Sequence, residues 1–116
     1  MSSWTHIYAL LKIEQIYNFE EDDKQFKCFR EKIIELIHKG PLITGLEGNA
    51  DIIPIKFSRT VYLGSEDDVN CVYIAIIGNL RDRTLNRTNA EFCAFVDYLK
   101  NTKYFEVEEL CCSIGE

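Results

Sequence analysis

The stretch Val69-Asn70-Cys71-Val72-Tyr73-Ile74-Ala75-Ile76-Ile77-Gly78 is an almost uninterrupted apolar run, the pattern of a strand in the middle of a sheet. Upstream, an acidic turn over Gly64 to Asp68 separates it from a segment in which Ile53, Ile55, Phe57, Arg59, Val61 and Leu63 alternate with Ile52, Pro54, Lys56, Ser58, Thr60 and Tyr62. That period of two predicts a second strand, paired with the first as a hairpin. Pro54 has no amide hydrogen to give to a ladder, so this strand is expected at a sheet edge or bulged near its start.

Further out, a glycine-containing loop over Leu42 to Asp51 carries Gly45, Gly48 and Asn49. Before it, Phe26, Phe29, Ile33, Leu36 and Ile37 recur at three- and four-residue steps, which predicts an amphipathic helix. The acids Glu20 to Asp23 suit its start, where the helix dipole favours negative charge. Gly40-Pro41 is expected to end it, with glycine in the left-handed capping conformation. Upstream of that helix, Ile7, Ala9, Leu11 and Ile13 alternate with His6, Tyr8, Lys12 and Glu14, predicting a strand over Thr5 to Tyr17 whose odd positions face the core.

Downstream of the central run, Thr88-Asn89-Ala90-Glu91 reads as a capping box opening a helix that bears Phe92, Phe95, Val96 and Leu99, closed at Asn101-Thr102. A last strand follows over Tyr104 to Ile114, where a phase change at Glu108-Glu109 predicts a bulge. The order β-α-β-β-α-β is that of the split βαβ, or ferredoxin-like, arrangement. The expectation is an α+β domain, residues 1–116, with a four-stranded antiparallel sheet and both helices on one face, because right-handed crossovers place them there. The opposite face stays open, with Tyr8, Leu10 and Lys12 on it and Tyr73 and Ile77 or their neighbours beside them. An apolar uncovered face predicts a homodimer or another partner surface.

Composition bounds the function. The chain has 116 residues, 47% of them hydrophobic and 28% charged, as in an ordinary globular domain. No apolar run is long enough to cross a bilayer, and Met1 to Thr5 lacks a basic segment leading into an apolar one, so a cytoplasmic protein is expected. Five cysteines, Cys28, Cys71, Cys93, Cys111 and Cys112, are an odd number containing an adjacent pair, which predicts reduced thiols. Alternation puts Cys111 and Cys112 on opposite faces, with one expected in the core. A net charge of −6 opposes nonspecific nucleic-acid binding and suits a basic protein partner.

The sequence carries no recognisable catalytic constellation. The two histidines, His6 and His38, sit in no nucleophile-base motif, and His38 suits the dipole at the end of a helix. The tripeptides His6-Ile7-Tyr8 and His38-Lys39-Gly40 are not the H-x-T or H-x-S pair of phosphoesterases on a related fold. Cys111-Cys112 has no companion pair for zinc, and Gly45-Leu46-Glu47-Gly48 is neither a Walker A nor a dinucleotide fingerprint. Val69 to Gly78 lacks the basic, aromatic-interleaved signature of RNA-recognition sheets. The prediction is a binding protein with no catalytic residues, metal or cofactor; an enzyme working through His6 and nearby carboxylates is the trailing alternative.

Against the acidic whole, Arg81, Arg83 and Arg87 with one aspartate give Arg81 to Arg87 a local charge of +2. Next to a helix start, arginines can grip phosphate or carboxylate bidentately. With Asn79, Thr84, Gly45, Gly48 and Asn49 they form a candidate anion or partner site; the alternative is that they pair with neighbouring acids. Trp4-Thr5-His6-Ile7, Ile43 to Ala50 and Gly78-Asn79-Leu80-Arg81-Asp82-Arg83-Thr84 together resemble small phage or prophage proteins. That resemblance implies a mobile-element context and an inhibitor of a host defence protein, such as a CRISPR nuclease. The second expectation is an oligomeric sponge holding an anionic signalling nucleotide.

Overall fold

The computed structural model describes residues 3–15, 25–61 and 68–116. Six elements follow one another: β1 (Trp4–Gln15), α1 (Gln25–Lys39), β2 (Asp51–Val61), β3 (Asp68–Arg81), α2 (Leu85–Lys100) and β4 (Phe105–Gly115). The strands form one sheet in the order β2-β3-β1-β4, antiparallel at every pairing. This is the ferredoxin-like α+β arrangement that the order of elements predicts. The acids at 20–23, Tyr17 and most of the 64–68 turn lie outside the described residues.

Period-two alternation turns directly into burial along β1. Ile7, Leu11 and Ile13 are fully buried, while Tyr8 is exposed and Leu10, Lys12 and Glu14 are half-buried. On β3 the even positions Val72, Ile74, Ile76 and Leu80 join them. Phe29 and Ile33 of α1 and Phe92, Phe95, Val96 and Leu99 of α2 complete one cluster on the same side of the sheet. Phe29 meets the rings of Phe57 and Phe105 edge-on, with centroids 6.2 and 5.6 Å away, so α1 is tied to both edge strands. Both helices thus cover one face and leave the other without helices.

Five local expectations change. The helix after β3 starts three residues before Thr88: Thr84 is its cap, accepting a hydrogen bond from the Arg87 amide at 3.1 Å, and Thr88 lies buried inside α2 with a hydroxyl that has no partner among the described residues. A capping-box pattern in sequence cannot distinguish two threonines four residues apart, and the amide geometry selects the first. Gly40 follows α1 without a left-handed backbone. It is needed because an added Cβ would lie 2.8 Å from the Tyr98 ring, whose hydroxyl donates to the Leu36 carbonyl at 2.9 Å.

The alternation of β2 does not run through unbroken. Register shifts between Ile55 and Ser58, and Lys56 takes φ 53°, so Ile53 and Ile55 lie on the open face while Phe57 turns to the helices. Edge position and bulge both agree with Pro54. In β4 the bulge falls between Glu109 and Cys111, with Leu110 as the extra residue, just past the expected Glu108-Glu109 step. Cys111 and Cys112 do point to opposite faces, but both are exposed; β4 is an edge strand, and neither thiol reaches the core.

Candidate functional site

The fold treats the open sheet face and the arginine segment differently. Residues directly opposite across antiparallel strands share a face, so the register sets out the rows of the open face from β2 to β4. One row holds Asp51, Ile77, Tyr8 and Ser113; the next Ile53, Ala75, Leu10 and Cys111; the next Ile55, Tyr73, Lys12 and Glu108; the next Ser58, Cys71, Glu14 and Glu106. Tyr8, Ile77, Ile53 and Ile55 are 53, 46, 43 and 43% exposed, and Leu10, Tyr73 and Ala75 lie half-buried between them.

The apolar band therefore spans three strands and is contiguous. Soluble monomers rarely expose apolar patches above a few hundred Å² unless the patch binds something. Period two puts Tyr8 and Leu10 on this face in sequence, and the ladder settles that Tyr73 and Ile77, not their neighbours, join them; Ile53 and Ile55 are not legible there because the Lys56 bulge breaks the phase of β2. One end of the band is charged. Lys12 pairs with Glu14 at 2.8 Å and shares a small cleft with Glu106 and Glu108. The Glu14 hydrogen bond, then its charge, pushes the Lys12 ammonium up to about 12.

The second region is the arginine segment. The fold does bring it together with the 43–50 loop: Leu46 donates its amide to the Arg81 carbonyl at 3.0 Å, and a Cβ on Gly45 would meet the Leu80 and Arg81 backbone. The loop also supplies carboxylate. Arg81 binds Glu47 and lies 3.6 Å from Asp82, while Arg87 reaches Glu91 at 3.4 Å one helical turn on. Glu91 in turn accepts from the Thr44 amide at 2.8 Å and the Thr44 hydroxyl at 2.7 Å. Burial alone would raise the Glu91 pKa; the Thr44 and Arg87 bonds outweigh it and hold the carboxyl below its ordinary range.

Two arginines, Arg81 and Arg87, thus meet three carboxylates, Glu47, Asp82 and Glu91, only one of which is visible within Arg81 to Arg87. Arg83 differs: its Nε is buried without a partner among the described residues, and its Nη1 donates to the Asp82 carbonyl at 3.3 Å. The surrounding depression, about 400 Å³ and open to solvent, is lined by Ser3, Asp82, Thr84, Leu85, Asn86 and Glu116 as well. Asn79 faces His6 across the β1–β3 ladder and bonds its ring. Gly48 and Asn49 are exposed at the loop tip. Among the described residues no three His, Cys, Asp or Glu side chains are arranged to hold a metal.

No described helix is long and apolar enough to cross a membrane. Comparison with protein-family models, curated proteins and solved structures finds no match to this chain.

Proposed function

We propose that this chain is a non-enzymatic binding domain whose working surface is the open face of its sheet. The observation that carries the proposal is the contiguous band of Tyr8, Ile53, Ile55 and Ile77, exposed side chains that none of the other described residues covers. Burying apolar surface is worth roughly 25 cal/mol per Å², so such a face drives association without any special chemistry. The arginine segment supports the same reading from the other side, because Arg81 and Arg87 are occupied by the chain's own carboxylates.

In its specific form the proposal is a phage-type inhibitor that meets a host defence protein through the chain's acidic edges. The resemblance of three segments to small phage proteins supports it, and the charge of −6 suits a basic partner. The test is photo-crosslinking in cells expressing the chain, with p-benzoylphenylalanine in place of Tyr8 on the open face or of Ile34, which is equally exposed on α1. Protein adducts at position 8 and not at position 34 are expected. Adducts confined to position 34, or none at either, would overturn the proposal.

A further inference from the structure

We infer that the occupant of the open face is a second copy of this chain, packed sheet to sheet about a two-fold axis running parallel to the strands. The inference rests on the reading of the open face as a binding surface and adds the partner and the geometry. The face is large enough. Four strands about 4.8 Å apart and about 40 Å long present roughly 750 Å², close to the ~800 Å² each partner gives to a standard interface.

The arrangement of charge selects the axis. Along the strands, the apolar rows of Tyr8-Ile77 and Leu10-Ala75 lie at one level and the charged rows of Lys12 and Glu14 at another. A two-fold axis across the strands keeps strand order, so Glu106 and Glu108 of β4 would face β4 of the other copy and Lys56 of β2 would face β2, and neither rim would meet its opposite charge. An axis along them keeps like levels together and reverses strand order, so that β3 covers β1 and β2 covers β4 of the second copy. Tyr8 then meets Ile77, Leu10 meets the small Ala75, and Lys12 meets the Tyr73 ring.

The same reversal matches the rims. On the β2 side, Lys56 stands beside Ser58, Cys71 and Tyr73 at the charged level, and at that level the β4 side carries Glu106 and Glu108. Reversal brings Lys56 of each copy over the glutamates of the other, twice, as an isologous interface requires. The two rims of a single copy are thus complementary to each other.

The test uses the full chain by sedimentation equilibrium, with three variants: Lys56→Glu, Glu106→Lys/Glu108→Lys, and Tyr8→Glu/Ile77→Glu. Wild type is expected to be a dimer at micromolar concentration and Tyr8→Glu/Ile77→Glu a monomer with unchanged circular dichroism. Each rim variant alone should weaken the dimer roughly tenfold to thirtyfold, since two rim pairs turn repulsive. Mixing the two rim variants restores both contacts in the heterodimer, which should form at near wild-type strength. A wild type that stays monomeric, or rim variants whose mixture does no better than either alone, would overturn the inference. In the first case open-face crosslinks to a different protein would leave the broader proposal standing. A dimer indifferent to Tyr8→Glu/Ile77→Glu would likewise overturn the inference, and the crosslinks at position 8 would then decide the broader proposal on their own.

Discussion

Replacing Glu91 with Gln should destabilise the chain by about 2 kcal/mol, although the side chain sits at the surface of α2. Both oxygens of the carboxylate are used: one takes the Thr44 amide at 2.8 Å, the other the Thr44 hydroxyl at 2.7 Å and Arg87 at 3.4 Å. Gln keeps a single acceptor, so one Thr44 donor would face an NH₂ group. Bonds to a charged acceptor are worth about 1.5–3 kcal/mol when part-buried, whereas the exposed Arg87 pair adds at most about 0.5. For a domain of this size about 2 kcal/mol corresponds to a melting shift of roughly 8 °C. The pH dependence supplies a second check. Because the folded pKa is depressed, the Glu91 contribution is complete above the unfolded carboxyl value, near pH 4.3, and disappears as pH falls through the lower folded value. Thermal melts of wild type and variant should therefore differ by the full amount at pH 7 and converge in stronger acid. A difference below about 0.5 kcal/mol at pH 7, or one that persists unchanged at low pH, would refute the role given to Glu91.

Other substitutions test the remaining assignments. Thr84→Ala should cost about 1 kcal/mol as the loss of a helix cap, while Thr88→Val should be neutral or stabilising because its buried hydroxyl bonds nothing; urea titrations would show the opposite order if Thr88 were the cap. Arg81→Ala together with Arg87→Ala should leave the protein folded and lower its stability by no more than about 2 kcal/mol, as two exposed pairs are lost; calorimetry against nucleotides should detect no binding in wild type for the change to abolish. Thiol titration should find Cys93, Cys111 and Cys112 reactive in the native protein and Cys71 reactive only on unfolding, because Cys71 is buried and burial raises its pKa. Gly40→Ala should lower stability through contact with the Tyr98 ring, an effect that Tyr98→Ala would relieve in a double-mutant cycle.

The order of elements and the burial of β1 are legible in sequence because Ile7 to Ile13 keep one phase, so a period of two suffices. β3 is apolar on both faces from Val72 to Ile77, and only its register with β1 decides that Val72, Ile74 and Ile76 face the helices while Tyr73 and Ile77 face out. β2 hides its contribution, since the Lys56 bulge sends Ile55 and Phe57 to opposite faces although they are two residues apart. The arginine segment misleads for a different reason. A local charge of +2 counts only neighbours in sequence, while Glu47 arrives from a loop 34 residues away and Glu91 from the next turn of a helix whose start is itself displaced. The helix cap shows the same limit: two threonines fit the pattern, and only the fold decides which amides lie within reach.

The central claim, that two copies of this chain meet through their open faces, comes down to whether that face becomes covered as concentration rises. Cys111 lies on it beside Leu10, and Cys93 lies exposed on α2 on the other side of the molecule, so each copy carries its own reporter and reference thiol. Maleimide labelling followed by mass spectrometry, across a dilution series of wild type and the Tyr8→Glu/Ile77→Glu variant, reads the ratio of the two rates. The account predicts that Cys111 slows relative to Cys93 as wild-type concentration rises, and that the variant shows no such change. A constant ratio in wild type, from dilute solution to the highest concentration reached, would contradict it.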